Sequence, residues 1–290
     1  MIAKKYKKVS KIGQGKFGEV FRGIYQKTGT TVASTVASTV AIKIEKSDSP
    51  IKMIKHEATL LNYLYSNGCR TTPIVYWYGL TDQCPTMVMP FYEMSLTQWI
   101  SLNHGKDEST LNSKKRLMIQ MIDILDTIHS NFIIHRDIKP DNFMLKDNTS
   151  VVLIDFGLAT VYVDDAKNPI PMSKNPSSAI LGTPKYVSIH IHQGLDAGRR
   201  DDLISIGYIW LFMENDGYLP WENIPDNTDE APYSEIHILH YKNVERARLK
   251  SWTFQQEELI SIVTKNYINA TYALKYIEIP KYKKYKEIFG

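Results

Sequence analysis

The 290-residue sequence predicts an α+β fold with two lobes, because its secondary-structure signals change in kind at about residue 90. Before that point, segments rich in β-branched and aromatic residues, such as "GEVFRGIY" and "TVAIKIE", alternate with glycine, as strands do. After it, long segments such as "LNSKKRLMIQMIDILDTIHS" have the apolar spacing of helices. We therefore expect a small, sheet-rich lobe over 1–90 and a larger, mainly helical lobe over 91–290.

The remaining elements follow from the same patterns. The first strand is predicted in "YKKVSKIG", and two more in "IVYWYGL" and "TMVMPFY". The segment "RRDDLISIGYIWLFMEND" is apolar on nearly every side past Asp202, which predicts a buried helix. One or two helices are predicted in "QQEELISIVTKNYINATYALKYIE", and a surface loop over 162–178. The main helix of the small lobe is predicted in "IKMIKHEATLLNYLYS", where one face can carry Ile51, Ile54, Ala58, Leu61 and Leu64.

Composition excludes several classes of protein. The net charge of +4, from 35 basic and 31 acidic residues, is too small to indicate a nucleic-acid partner. Cys69 and Cys84 are the only cysteines, so neither a disulfide framework nor a zinc cluster is expected. The sequence contains no run of about 18 apolar residues, so we expect no membrane span. The N-terminal "MIAKKYKKVS" has no apolar centre and is not a secretory signal. We expect a protein that acts inside a cell, in the cytoplasm or the nucleus.

The C-terminal segment "KYIEIPKYKKYKEIFG" interleaves tyrosine with lysine and has two interpretations. Stacking and charge could bind nucleic acid. The favoured interpretation is a helix with a solvated basic face that completes the large lobe.

Glycines in "GQGKFGEV" are the first candidates for a binding site. Gly13, Gly15 and Gly18 lie between two predicted strands, where glycine lets the backbone approach a phosphate closely. An ordinary hairpin would carry the same pattern. A dinucleotide-binding fold is excluded, because it needs a helix directly after the glycines.

The segment "HRDIKPDN" is a more specific signal for phosphoryl transfer. Asp137 could accept the proton of an attacking hydroxyl, and Lys139 could neutralise charge on a transferred phosphoryl group. Asn142 offers a hard oxygen to Mg²⁺. Asp155 of "IDFGLA" follows a predicted strand, where it could bind Mg²⁺ that bridges nucleotide phosphates.

Together these motifs resemble the eukaryotic protein kinase family, in family order and over nearly the whole chain. The resemblance implies that ATP and Mg²⁺ bind between the lobes, with Asn142 and Asp155 as metal ligands. It implies that Lys43 of "VAIK" holds the α- and β-phosphates and that Glu57 pairs with it, although a solvated helix residue is the alternative for Glu57. Asp202 would hold the catalytic loop through backbone hydrogen bonds. The implied nucleotide-binding residues are Ile12, Gly13, Gln14, Gly15, Lys16, Phe17, Gly18, Val20, Ala41, Lys43, Glu57, Met89, Pro90 and Tyr92.

The same resemblance implies that "MVMPFYEM" is the segment that connects the two lobes. Met89 would limit the back of the nucleotide pocket. Pro90 would offer its carbonyl to adenine, and Tyr92 would offer its N–H.

A narrower resemblance is to the casein kinase 1 family, carried by "HRDIKPDNFML", "GTPKYVSIHIHQG", "RRDDLISIGY" and "LPWENI". The hallmark Ser-Ile-Asn of that family corresponds to Ser188-Ile189-His190. The vaccinia-related kinases are the alternative subfamily. Lys139, two residues after Asp137, resembles the serine/threonine pattern. The implied function is transfer of the ATP γ-phosphoryl group to Ser/Thr hydroxyls of protein substrates by a monomer, with a pseudokinase scaffold as the alternative.

Two departures concern the substrate. Lys185 stands where the casein kinase 1 family has an arginine that reads acidic or phosphorylated peptides, so it is our candidate for binding a substrate anion. Lysine lacks the bidentate fork of arginine. The segment "IPDNTDEAPYSE" is acidic where that family is basic, which would repel acidic peptides. A solvated surface unrelated to substrate is the alternative for this segment.

The segment "TVASTVASTVAIK" repeats Thr-Val-Ala-Ser before the lysine strand. We expect a tandem expansion at the turn between the second and third strands, with only Val40-Ala41 leading into Lys43. A shift by four residues keeps every side chain on its face, so the pattern does not fix the register.

Overall fold

A computed structural model gives the architecture. It describes residues 1–14, 18–26, 38–46, 53–105, 107–147, 149–175, 179–224, 235–256, 258 and 260–290, with the side chains of residues 235–238 left out.

The small lobe is a five-stranded antiparallel sheet with a helix, α1 (Met53–Ser66), packed against it. The strands lie in the order β1-β2-β3-β5-β4. The residues predicted as β-rich form this sheet, although β4 begins at its tryptophan rather than at the preceding "IVY". Its strands are β1 (Tyr6–Gln14), β2 (Gly18–Tyr25), β3 (Thr39–Glu45), β4 (Trp77–Thr81) and β5 (Cys84–Pro90).

Strand β3 lies in the middle of this sheet. The third Val-Ala pair of the repeat lies within this strand and is paired with both neighbouring strands. Val40 pairs with Gly23 of β2 and with Pro90 of β5. Residues 31–37, which hold most of the two TVAS copies, lie outside the described residues. Within the described part, Val40-Ala41 therefore leads into Lys43, as the sequence predicts.

Helix α1 packs one apolar face into the core. Ile54, Ala58, Leu61 and Leu64 are all buried, as the helical spacing predicts. Ile51 lies outside the described residues.

The large lobe is mainly helical. Helix α5 lies at its centre, with every residue from Arg199 to Met213 buried. Past Asp202 its sequence is apolar on nearly every side, as the prediction of a buried helix requires. Two small sheets, β6-β8-β9 and β7-β10, hold the loops between the helices. The helices are α2 (Leu96–Leu102), α3 (Glu108–Ser130), α4 (Ile189–His192), α5 (Arg199–Glu214), α6 (Glu235–Gln255), α7 (Ile262–Tyr272) and α8 (Tyr282–Glu287). The short strands are β6 (Met94–Ser95), β7 (Ile133–Ile134), β8 (Phe143–Leu145), β9 (Val151–Leu153) and β10 (Thr160–Val161).

Helix α6 is absent from the sequence-based prediction, and its side chains explain why. Val244 and Trp252 are exposed apolar residues, whereas Asn243, Lys250 and Thr253 are buried polar residues. Several apolar residues of this helix are thus exposed and several polar ones buried, although Leu249 and Phe254 pack against the core, so the helical period in the sequence is weak.

Helix α8 closes the large lobe. Tyr282 and Tyr285 are buried, whereas Lys283 and Lys284 on the other side are exposed. This arrangement agrees with the favoured interpretation of the C-terminal segment. Among the described helices, none is long and apolar enough to cross a membrane.

The core predicts a difference between two leucines in helices. Leu64 of α1 is fully buried, whereas Leu102 of α2 is 70% exposed. We expect Leu64→Ala to lower the free energy of unfolding by about 2–5 kcal/mol, because it removes buried methyl groups and leaves a cavity. Leu102→Ala should change it by less than about 0.5 kcal/mol. Urea unfolding measures both, and equal midpoints for the two variants would contradict this packing.

Candidate active site

Three ionisable side chains from distant parts of the chain meet at the base of the small lobe. Lys43 Nζ of β3 lies 2.7 Å from Glu57 Oε2 of α1 and 2.7 Å from Asp155 Oδ1, just after β9. Glu57 is fully buried, whereas the Asp155 side chain is 43% exposed. The ammonium group therefore joins the sheet, the helix and the start of the segment after β9.

The charges in this group depend on one another. Burial alone would lower the pKa of Lys43, but Glu57 and Asp155 raise it above its ordinary value. Burial would raise the pKa of Asp155, but Lys43 lowers it to about 2. Burial raises the pKa of Glu57 despite its contact with Lys43. At neutral pH, Lys43 is therefore a cation and Asp155 an anion.

The backbone at Asp155 is in the left-handed region, with φ of 64°. A non-glycine residue adopts this conformation only where surrounding contacts hold it. The next residue, Phe156, is fully buried, and its N–H donates to Glu57 Oε1 at 3.3 Å. Its ring packs edge-on against His135, with 4.9 Å between ring centroids. These contacts point the Asp155 carboxylate toward the cleft.

A buried aspartate in α5 holds the loop that contains "HRD". Asp202 Oδ2 accepts from His135 N at 2.8 Å, and Oδ1 accepts from Arg136 N at 2.9 Å. Arg136 has φ of 69°, a strained conformation for a non-glycine residue, at the position where these two bonds hold the loop. His129 Nε2 lies 3.0 Å from Asp202 Oδ2. Burial would raise the pKa of Asp202, but the hydrogen bonds, chiefly that of His129, lower it. The carboxylate is thus the ionised acceptor that the loop needs.

Asp137 lies next along this loop, with three polar side chains around its carboxylate. Lys139 Nζ lies 2.7 Å from Oδ2, and Thr183 Oγ1 donates to Oδ1 at 2.7 Å. Asn142 Nδ2 donates to the Asp137 carbonyl at 2.8 Å and to Oδ2 at 3.2 Å. These bonds use the amide hydrogens of Asn142, so its amide oxygen is the atom left to bind a cation.

A cavity of about 340 Å³ connects these groups. It brings together eight of the predicted residues and five that the sequence analysis missed. The predicted ones are Gly18, Val20, Lys43, Glu57, Met89, Asp137, Asn142 and Asp155. The missed ones are Glu45, Met53, Ile54, Ile154 and Leu158, whose signal is their closeness in sequence to Lys43, Glu57 or Asp155.

Other predicted residues lie beyond this lining. Pro90, at the end of β5, pairs with Val40 of β3, and Ala41 of β3 pairs with Met89 of the lining. Tyr92 follows that strand, and burial raises the pKa of its phenol to about 12. In the glycine segment, Ile12, Gly13 and Gln14 lie on β1. Ile12 is 48% exposed. Gly15, Lys16 and Phe17 lie outside the described residues.

The oxygen atoms of Asp155 and Asn142 fit a nucleotide that carries Mg²⁺. The Asp155 carboxylate and the Asn142 amide oxygen are hard oxygen ligands, of the kind that Mg²⁺ prefers. Within the described ranges, no group of three or more His, Cys, Asp or Glu side chains could hold a metal ion. A cation here would therefore complete its coordination with phosphate oxygens and water, as Mg²⁺ does in nucleotide sites.

Lys185, the candidate for a substrate anion, lies in the large lobe with its charge already paired. Its Nζ lies 2.5 Å from Glu222 Oε1 and 4.3 Å from the centroid of the Phe212 ring. An anionic group of a substrate would have to compete with Glu222. The acidic segment after residue 224 lies outside the described residues as far as residue 234.

Comparisons with known proteins agree with this fold. A model of the protein kinase domain family matches residues 6–279, so the chain belongs to that family. A solved structure titled "Structure of vaccinia related kinase 3" superposes with a TM-score of 0.73, at 18% sequence identity. The alignment covers 98% of this chain and 85% of that one, and at this identity the likeness shows the fold. The two-lobed kinase fold predicted from the sequence is confirmed. Phosphotransfer is the class of reaction that the family supports.

The Asp202 contacts predict a loss of stability in Asp202→Asn. An amide has one oxygen, so at least one of the two backbone N–H groups, of which that of His135 is buried and that of Arg136 partly buried, loses its acceptor, which costs about 1–3 kcal/mol. Urea unfolding should detect this loss, and hydrogen exchange over residues 135–137 should become faster. The control is Asp123→Asn, whose side chain is 50% exposed and pairs with Lys286, and it should change stability by at most about 1 kcal/mol. Unfolding of both variants at the same urea concentration would contradict the role of Asp202.

Proposed function

We propose that this protein is a serine/threonine kinase of the casein kinase 1 type, which transfers the γ-phosphoryl group of ATP to Ser/Thr hydroxyls of protein substrates. The observation that carries the proposal is that one cavity is lined by both sets of groups that this reaction needs. Lys43 and Asp155 suit phosphates and a metal ion, and Asp137 suits the attacking hydroxyl.

On the nucleotide side, each residue has a defined task. Lys43 binds the α- and β-phosphates, and Glu57 keeps its ammonium group in place. Asn142 and Asp155 hold Mg²⁺, which neutralises charge on the phosphates. Gly18 lies close enough to β3 that an added Cβ would be 2.4 Å from Ile44 O, so the roof of the cavity tolerates no side chain there.

On the substrate side, Asp137 orients the hydroxyl and accepts its proton. The Thr183 hydroxyl, which donates to Asp137 Oδ1, occupies the kind of position that a substrate hydroxyl would need. Lys139 contacts both Asp137 and Thr183, so its charge lies where the transferred group would gain negative charge. The position of Lys139 in the sequence, two residues after Asp137, favours Ser/Thr over Tyr.

The casein kinase 1 type is supported by contacts between two of the motifs that resemble that family. Ser188 Oγ donates to Asp201 Oδ1 at 2.5 Å, and His190 Nδ1 lies 3.2 Å from the same oxygen. The "SIH" and "RRDD" segments therefore form one cluster. The vaccinia-related kinases are the alternative subfamily.

A pseudokinase scaffold is the alternative function. It is not favoured, because Lys43, Asp137, Asn142 and Asp155 are all present and line one cavity. A catalytic role therefore has every side chain that it requires.

The first prediction concerns the acceptor residue. We expect the protein, supplied with Mg²⁺–ATP, to phosphorylate a peptide that carries Ser or Thr at a rate at least about tenfold higher than the same peptide with Tyr. Asp137→Asn should lower the rate about 10²- to 10⁴-fold, because the proton acceptor is lost. The matched control is Asp165→Ala, an exposed aspartate, which should keep the wild-type rate. Nucleotide binding without phosphotransfer by the wild-type protein would instead support the scaffold.

The second prediction concerns Glu222. Glu222→Gln removes the partner of Lys185, so kcat/KM for a phosphorylated or acidic peptide should rise about fivefold relative to a neutral peptide, the size expected for one partly exposed charge pair. The double variant Glu222→Gln with Lys185→Gln should lose this gain. An unchanged ratio of the two peptides in Glu222→Gln would rule out Lys185 as a substrate-anion residue.

A further inference from the structure

Lys250 of α6 is a fully buried lysine outside the site described above. Its Nζ donates to the carbonyl of Pro184 at 3.0 Å and to that of Val187 at 2.6 Å, and it lies 3.0 Å from His192 Nε2. Among the described residues, no carboxylate forms a salt bridge with it. A buried lysine that is hydrogen-bonded to backbone carbonyls and not paired with a carboxylate is unusual, because burial of a charge is costly without compensation.

Aromatic rings and a neutral histidine surround this amine. Nζ lies 4.9 Å from the ring centroid of Tyr208 and 5.5 Å from that of Trp221. Burial, and then the charge of Arg246, lower the pKa of Lys250. Burial and the charge of Lys250 lower the pKa of His192 to about 3, so this imidazole is neutral. The three polar contacts of Nζ match the capacity of one amine group.

The two carbonyls belong to a segment held by side chains along its whole length. The carbonyls of residues 184–187 all accept hydrogen bonds from side chains of the large lobe. Lys250 donates to the first and the last. Trp221 Nε1 donates to the second at 2.7 Å, and Ser205 Oγ donates to the third at 2.8 Å. Lys250 thus supplies two of the four bonds.

This segment lies directly beside the reacting groups. Thr183, the residue before it, contacts Asp137 and Lys139 through its hydroxyl. The carbonyl of Thr183 also accepts from the amides of Tyr186 and Val187, so the residue whose hydroxyl contacts Asp137 is hydrogen-bonded to the segment. A peptide whose hydroxyl reaches Asp137 must therefore lie against residues 183–187.

We propose that Lys250 is a positioning residue for the peptide substrate, which fixes the backbone of residues 184–187 from α6 and thereby the surface beside Asp137. The proposal rests on the proposed function, since it assumes a peptide substrate. Its effect falls on the peptide and not on the nucleotide, because Lys43, Asn142 and Asp155 are held by other contacts.

Lys250→Met tests the proposal, since methionine keeps the apolar length of the side chain and removes the donors. We expect KM for the peptide to rise, or kcat to fall, about tenfold or more, as for a displaced positioning segment. The affinity for Mg²⁺–ATP, measured by calorimetry, should stay within about twofold. Arg248→Met on the exposed side of α6 is the matched control and should behave as the wild type.

Hydrogen exchange gives a readout that does not need catalysis. In Lys250→Met, the amides of residues 184–188 should exchange faster, while those of residues 135–137 should not change. This test distinguishes failure of the proposal from failure of the proposed function, since it applies even if the wild type phosphorylates no peptide. If Lys250→Met does not fold, Ser205→Ala, which loses one of the four bonds, should show a smaller change of the same kind.

Three results would overturn the proposal. One is unchanged kinetics and exchange in Lys250→Met. Another is an equal loss of peptide and nucleotide binding, which would make Lys250 a general packing residue. The third, where only Ser205→Ala folds, is wild-type exchange over residues 184–188 in that variant.

Discussion

The contact of Lys43 with Glu57 and Asp155 is the interaction on which the arrangement of the cleft depends. It joins a central strand of the sheet, helix α1 and the segment after β9 at 2.7 Å on both sides. A partly buried ammonium group between two carboxylates is stable only when all three elements are correctly placed, because removal of Lys43 would leave the fully buried Glu57 carboxylate without its cation. The orientation of α1 and the position of Phe156 follow from this requirement, since Glu57 also accepts from the Phe156 amide.

The large lobe solves a related problem with buried polar side chains. Loops at an active site have backbone groups that no helix or strand can satisfy, and each of them needs a partner. Asp202 accepts from the N–H groups of the loop that contains Asp137. Lys250 donates to carbonyls of the segment that follows Thr183. Two helices of the large lobe, α5 and α6, therefore hold two loops that meet where Thr183 contacts Asp137, and they do so through opposite kinds of hydrogen bond.

The sequence predicts much of the fold and most of the cleft, because the necessary information is local. Alternation and glycines locate the strands, and the residues around Lys43, Asp137 and Asp155 are recognisable within single short segments. Helix α6 was not predicted, because polar residues such as Lys250 are buried on it and apolar ones such as Trp252 are exposed, which weakens its helical period. The pairing of Lys185 with Glu222 was also missed, since it joins residues 37 positions apart and depends on how two loops meet.

The measurement that tests this account most directly is calorimetric binding of ATP to the wild type and to Lys43→Met, each with Mg²⁺ and with a chelator. The account predicts that wild-type binding strengthens with Mg²⁺ and that Lys43→Met loses about tenfold or more of the affinity, because a charge-assisted contact with phosphate contributes about 1.5–3 kcal/mol. Equal affinity in both proteins, or wild-type binding that does not respond to Mg²⁺, would contradict the assignment of Lys43 and Asp155 to the phosphates and the metal ion.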